Sequence, residues 1–167
     1  MTGSADEAEP GWIAADGFHP GLLGYRAWVA ALDALAVTQV AVPDPALGMA
    51  ASLVAGVAAV PPGAAVLLML ADLPEITTGD LAQMLSLAKD HPSHILRGAA
   101  ADGTPGHPVL FPPDLRGDLL ALTGDEGARS VLQRNKARVM PVPLPDRHAV
   151  TDLDTPEDWA AWRAARA

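Results

Sequence analysis

An unbroken apolar run, Ala65 to Ala71, constrains the fold of this chain more than any other stretch. It lies between Pro61-Pro62-Gly63 and Pro74, and its apolar residues do not alternate with polar ones. A short run of this kind is typical of a strand buried on both faces of a parallel sheet. Ligands of such sheets bind just beyond the carboxyl ends of the strands. We therefore expect Asp72, the first residue after the run, to meet a metal ion or a substrate.

Composition excludes several classes of function. The 167 residues carry a formal net charge of −9 and a pI near 4.7, and Lys89 and Lys136 are the only lysines. A broad nucleic-acid or anionic-membrane surface needs clustered Lys and Arg, so neither partner is expected. No apolar run approaches the ~20 residues that a membrane span requires.

Cysteine is absent, which excludes a disulfide framework, a thiol nucleophile and a zinc-thiolate site. This composition suits a cytoplasmic protein. Residues 1–10 are acidic and polar, which predicts a disordered tail and no signal peptide. We expect residues 11–167 to form one domain.

Predicted helices and strands alternate along the chain, which indicates a three-layer α/β domain. Pro141 and Pro143 remove two amide donors from the last predicted strand and so predict that it lies at a sheet edge. Besides the central run, the predicted strands are Thr38–Val42, His94–Arg97, Gly106–Phe111 and Arg138–Val142. The predicted helices are Tyr25–Ala36, one from Met49 to near Pro61, Thr78–Lys89, one from Pro112 or Pro113 through Leu122, Ala128–Asn135 and Pro156–Arg166.

Five segments of the chain resemble, in the same order, those of the MobA-like nucleotidyltransferases. Among these the chain is most similar to the molybdenum-cofactor (molybdopterin) cytidylyltransferases. The five segments are Gly48-Met49-Ala50-Ala51-Ser52-Leu53, Leu70-Ala71-Asp72-Leu73-Pro74, Gly106-His107-Pro108-Val109-Leu110-Phe111, Leu122 to Arg129 and Asp152 to Asp158.

The resemblance implies a Rossmann-like domain of the nucleotide-diphospho-sugar-transferase type with a mostly parallel sheet. It implies transfer of CMP or GMP from CTP or GTP to the phosphate of molybdopterin or its molybdenum form, with release of pyrophosphate. By the resemblance, Asp72 and Asp154 are catalytic residues that hold Mg²⁺, which accepts a few carboxylates completed by phosphate and water. Gly48 and Ser52 resemble the stretch that approaches the nucleotide.

The acceptor pocket is implied to contain His107, Asp125 and Arg129, and Arg129 would face the anionic phosphate. Each candidate also has a local alternative. Asp72 could cap the helix that follows it, and Asp154 could shape the cap at Thr155. Asp125 and Arg129 could simply pair with each other at helical spacing, and His107 could be a half-buried turn residue.

The chain departs from the family at its start. The family's first strand and glycine-rich loop, which hold the triphosphate, are not found in this sequence. The segment Ile13-Ala14-Ala15-Asp16-Gly17 is only weakly similar to them. The domain is therefore expected to be N-terminally truncated. Its missing first strand would leave an open sheet edge that a homodimer could cover.

Three functions follow from these observations. The chain is a nucleotidyltransferase, or a degenerate relative that binds a pterin cofactor or a partner without catalysis. The third alternative is a metal-dependent phosphohydrolase that uses Asp72 and Asp154. The sequence leaves open the choice between CTP and GTP, because the missing loop reads much of the base.

Overall fold

The computed structural model describes residues 37–42 and 48–166 of the chain. These residues fall into two compact units. One unit comprises residues 40–153, and the described part of the other comprises residues 37–39 and 154–166. The predicted tail, residues 1–10, and the predicted helix Tyr25–Ala36 lie outside the described residues. The single domain expected for residues 11–167 stays a prediction.

The larger unit contains both helices and strands, which alternate except that two strands and then two helices follow one another in its second half. The helices are α1 (Met49–Ala59), α2 (Thr78–Asp90), α3 (Arg116–Leu120) and α4 (Arg129–Arg134), and the strands are β1 (Val66–Leu68), β2 (Ile95–Ala99), β3 (Pro105–Phe111) and β4 (Val139–Pro143). Short 3₁₀ turns at Pro113–Leu115 and Lys136–Arg138 precede α3 and β4. The smaller unit contains α5 (Pro156–Ala164).

The four described strands form one mixed sheet in the order β1-β3-β2-β4. Strand β3 runs antiparallel to both of its neighbours, and β2 and β4 are parallel. Strands β1, β2 and β4 therefore point in one direction and β3 alone points in the other. This arrangement confirms the predicted α/β class and the edge position of β4 within the described sheet. The described sheet is mixed, since three of its four strands share one direction but two of its three strand pairs are antiparallel.

Two apolar cores lie on opposite faces of the sheet, because neighbouring residues of a strand point to opposite faces. Ile95 and Val109 belong to the core beneath α1, α3 and α4, which we call the first core. Leu96 and Leu110 belong to the second core, beneath α2. The larger unit is therefore a three-layer helix–sheet–helix structure, as predicted.

The central strand is shorter and more exposed than its apolar run predicts. Only Val66–Leu68 is a strand, and only Val66 of the three is fully buried. Continuing the register would place Met69 opposite Pro108, which has no amide hydrogen to donate to the neighbouring strand. Met69 and Leu70 are 47% and 42% exposed. Burial of the whole run on both faces was therefore a wrong prediction.

The predicted strand Thr38–Val42 is also wrong. Residues 37–42 have no regular secondary structure, and the side chains of Val37 and Val40 are exposed. A β-rich sequence forms a strand only when a neighbouring strand satisfies its backbone. In the described sheet, β1 is consequently an edge strand. The homodimer that would cover such an edge stays a prediction.

Residues 144–153, which we call the return segment, pass from β4 back across the sheet edge. Its backbone is hydrogen-bonded at several points to the loop after β2 and to the start of β3. The amide of His107 donates to the Ala149 carbonyl at 2.9 Å, and the amide of Leu153 donates to the Asp72 carbonyl at 3.1 Å. The return segment therefore holds the backbone on both sides of the predicted site.

The side chains of Asp80 and His148 fasten the return segment to α2. Asp80 is only 3% exposed, and its Oδ2 accepts hydrogen bonds from the amide and hydroxyl of Thr77, both at 2.8 Å. His148 Nδ1 lies 2.9 Å from the same oxygen. Because an ionised carboxylate can only accept, Nδ1 must carry the proton.

Gly106 lets β3 and the return segment approach each other closely. A Cβ atom at this position would lie 1.9 Å from the Ala149 carbonyl oxygen. We expect Gly106→Ala to destabilise the fold by about 2 kcal/mol or more, because backbone rather than a flexible side chain must move. Gly56, inside α1, has open space around it. Gly56→Ala should raise stability by about 0.5–1 kcal/mol, and urea unfolding of both variants measures the contrast. A neutral Gly106→Ala would contradict the close approach.

The buried Asp80 should make stability depend on pH. Burial alone would raise the pKa of Asp80, but the hydrogen bonds from Thr77 and His148 outweigh burial and hold it below the usual 3.8. Ionised Asp80 therefore stabilises the fold above about pH 3.8, and this stabilisation is lost as the pH falls through the lower folded pKa.

Asp80→Asn should cost about 1–3 kcal/mol at neutral pH and progressively less in acid. Urea unfolding across a pH series measures this difference. Asp90→Asn, at the exposed end of the same helix, is the control and should change stability by less than about 0.5 kcal/mol. An equal loss for Asp80→Asn at every pH would contradict the role given to the charge.

Candidate active site

Two of the predicted site residues, Asp72 and His107, lie at the same end of the sheet. The carboxyl ends of β1 and β2 and the amino end of the reversed strand β3 all lie along this edge. It therefore receives Asp72 from the turn after β1 and His107 from the start of β3. This is the edge at which open α/β sheets bind ligands.

Asp72 is half-buried, and its side chain has an unsatisfied oxygen. Oδ1 is buried without a hydrogen-bond partner, whereas the backbone carbonyl accepts from Leu153. The following helix does not use Asp72 as its cap, because Thr77 and Asp80 form a complete capping box there. A buried carboxylate oxygen without a donor is unusual in proteins, and a cation or a ligand would satisfy it.

His107 lies between opposite charges at the same edge. Burial lowers the pKa of its imidazole and Arg97 lowers it further, while a hydrogen bond at the Leu68 backbone and the Asp72 carboxylate raise it. The net effect is a pKa below the usual 6.5, so the ring is largely neutral at pH 7. Its Nδ1 is buried and has no partner. His107 lies within β3 rather than in a turn, and its role in binding stays a prediction.

Arg97, in the middle of β2, lies beside His107 and was not among the residues predicted from the sequence. Its Nε donates to the Gly106 carbonyl at 3.1 Å. Burial lowers the pKa of the guanidinium, and the nearby charge of Arg129 lowers it further. A cation within the otherwise apolar strand Ile95–Ala99 was the signal available in the sequence.

The turn at Gly124 and Asp125 packs against the start of α1. Gly48 has φ of 87°, and a Cβ there would lie 2.5 Å from the Gly124 carbonyl oxygen and 2.6 Å from Asp125 Oδ1. The amide of Ala50 donates to the same carbonyl at 3.0 Å. The structure thus brings together a predicted nucleotide residue, Gly48, and a predicted acceptor residue, Asp125. Ser52 is exposed in the first turns of α1.

Arg129 is exposed at the first position of α4. Within the described residues no ion pair joins it to Asp125, so the local pairing considered for these two residues is not formed. Its charge instead lowers the pKa of the Arg97 guanidinium.

Asp154 belongs to the smaller unit, where it is exposed. Thr155 caps α5 and forms a capping box with Asp158, as the sequence predicts. The side chain of Asp154 takes no part in this box, and its role in metal binding stays a prediction.

Within the described residues, no group of three or more acidic or histidine side chains is arranged to hold a metal ion. Mg²⁺ does not require such a group, because it is commonly held by one or two carboxylates with phosphates and water. The unpartnered Oδ1 of Asp72 fits this chemistry. None of the described helices is long and apolar enough to cross a membrane.

The sequence profile of the MobA-like NTP transferase domain matches residues 22–139, more than half of the chain. The chain belongs to the MobA-like NTP transferase family. This result confirms the family resemblance and indicates an enzyme of the nucleotidyltransferase type. No curated protein matches the chain in a search of characterised sequences.

Three solved structures from mycobacteria are similar to this chain. The crystal structure of Rv0371c from Mycobacterium tuberculosis H37Rv is 29% identical, with a TM-score of 0.68 over 86% of this chain and 73% of that one. The Rv0371c complex with manganese is 28% identical, with a TM-score of 0.63 over 83% and 72% of the two chains. The homologue from Mycobacterium sp. strain JC1 is 28% identical, with a TM-score of 0.57 over 68% of this chain. The match spans only 56% of that homologue's length.

The charges around His107 can be tested by titration. Asp72→Asn should lower the pKa of His107, because it removes a negative charge that raises it. Arg97→Met should raise that pKa, because it removes a positive charge that lowers it. NMR titration of the histidine ring protons measures both shifts. If the pKa of His107 moved in the same direction in both variants, the placement of His107 between these opposite charges would be contradicted.

Proposed function

We propose that this chain is a Mg²⁺-dependent nucleotidyltransferase that transfers CMP or GMP from CTP or GTP to the phosphate of a molybdopterin-type acceptor. The observation that carries the proposal is the unpartnered carboxylate oxygen of Asp72 at the ligand-binding edge of a MobA-like fold. The structural similarity to a manganese complex of Rv0371c supports a divalent cation in this fold.

The reaction needs positioning rather than a covalent intermediate. An oxygen of the acceptor phosphate attacks the α-phosphorus of the nucleotide in line, and pyrophosphate leaves from the opposite side. Bound Mg²⁺ would neutralise charge on the triphosphate and the leaving group. Asp72 would supply one ligand and Asp154 the second, the latter assigned from the family resemblance alone.

The remaining candidates divide between the two substrates. Gly48 and Ser52 at the start of α1 are assigned to the nucleotide, because backbone amides at a helix start favour anions. His107, Asp125 and Arg129 are assigned to the acceptor. A largely neutral His107 would not repel Mg²⁺ held at Asp72. Because its ring already donates to the Leu68 backbone, its free Nδ1 can accept a hydrogen bond from a hydroxyl group of the acceptor.

Pyrophosphate release with CTP or GTP, Mg²⁺ and molybdopterin tests the proposal. Wild-type protein should release pyrophosphate only when nucleotide and acceptor are both present. Asp72→Asn should reduce the rate by about a hundredfold, the scale of losing one transition-state electrostatic contact. Asp90→Asn, which removes an equal charge from the exposed end of α2, should be fully active.

The other outcomes separate the remaining functions. Acceptor binding without transfer would contradict the proposal and favour a pterin-binding module. Nucleotide hydrolysis without an acceptor would favour a phosphohydrolase. A fully active Asp72→Asn would refute the role given to this carboxylate.

A further inference from the structure

Arg97 is a half-buried cation whose charge no carboxylate balances within the described part of the chain. Its single hydrogen bond, from Nε to the Gly106 carbonyl, leaves both terminal nitrogens of the guanidinium unused. Arg138 shows the ordinary alternative, because its terminal nitrogens bind both oxygens of Asp114 at 2.8 and 3.0 Å. The two terminal nitrogens are not buried, so they are open to solvent and therefore to a ligand.

The backbone places Arg97 on the face of the sheet that α4 covers. Arg97 pairs directly with Val109 in the register of β2 and β3, and directly paired residues point to the same face. Val109 lies in the first core together with Ala128, the residue just before α4. Arg129 begins that helix, and its charge is close enough to lower the pKa of the Arg97 guanidinium.

This juxtaposition of like charges occurs in an acidic protein. The chain has 20 acidic residues against 11 Lys and Arg, yet neither Arg97 nor Arg129 is paired with a carboxylate among the described residues. Two neighbouring cations repel each other. An anion bound between them attracts both, and this attraction outweighs the repulsion. Planar guanidiniums are well suited to phosphate because each can donate two parallel hydrogen bonds.

We propose that Arg97 and Arg129 together bind one phosphoryl group, with Arg97 as a ligand from the sheet. His107 lies next to Arg97, and its largely neutral ring adds no negative charge that would compete with the phosphate. The ligand is a phosphoryl group, either the phosphate monoester of the acceptor or one phosphate of the nucleotide triphosphate. The choice between these two carriers rests on the proposed function, whereas binding of the phosphoryl group itself does not.

Calorimetric titration of the whole chain with inorganic phosphate, and separately with CTP and Mg²⁺, tests this proposal. Arg97→Met and Arg129→Met should each weaken phosphate binding by about tenfold to a hundredfold, the loss expected for a charged hydrogen-bond donor. Arg134→Met, at the exposed far end of α4, changes the net charge equally and should bind like wild type.

The two titrations identify the carrier. Weaker binding of phosphate with unchanged binding of CTP assigns the acceptor, and weaker binding of both assigns the triphosphate. Absence of phosphate binding by the wild type at millimolar concentration would overturn the proposal. So would equal losses in Arg97→Met and Arg134→Met, which would indicate only a general effect of net charge.

The test of phosphate binding can be interpreted even if one variant does not fold or if the proposed function is wrong. Arg129 is exposed, so Arg129→Met remains informative if Arg97→Met does not fold. If the wild type binds phosphate through both arginines but transfers no nucleotide, the proposed function fails and this inference stands. If it transfers nucleotide and neither variant changes phosphate binding, the inference fails and the function stands.

Discussion

The reversed strand β3 is the constraint on which the rest of the described structure depends. It pairs with β1 on one side and β2 on the other, and its residues contribute to both cores. Because it runs against its neighbours, its amino end meets their carboxyl ends. His107 therefore reaches the edge where Asp72 leaves β1, and the return segment bonds to the backbone of both residues.

This geometry divides the site into a carboxylate side and a cationic side. Asp72 presents an unpartnered oxygen on one side, and Arg97 presents an unpaired guanidinium on the other. Both charges affect the pKa of His107, and its ring is largely neutral at pH 7. A phosphorylated substrate with a bound divalent cation carries the complementary charges, which is why the arrangement suits phosphoryl or nucleotidyl transfer better than binding of an uncharged ligand.

Local signals in the sequence predicted local structure well. The helix starts at Thr78 and Pro156 were predicted correctly, because the capping boxes that fix them, at Thr77 and Thr155, are each encoded within four residues. The strand Thr38–Val42 failed because a strand depends on a partner that its own residues do not specify. Arg97 was missed because its importance comes from the order of the strands, which brings residues distant in sequence to one edge. Gly48 was found from the family resemblance, but its positive φ and its contact with Asp125 are tertiary features.

The central claim is that Asp72 holds a divalent cation at the sheet edge beside His107. Paramagnetic broadening by Mn²⁺ tests it most directly, because broadening of a proton signal falls steeply with distance from the ion. With CTP present, Mn²⁺ should broaden the ring signals of His107 and leave those of His94 sharp, since His94 precedes β2 at the opposite end of a strand about 16 Å long. Asp72→Asn should abolish the selective broadening. Equal broadening of both histidines, or unchanged broadening in Asp72→Asn, would contradict the account.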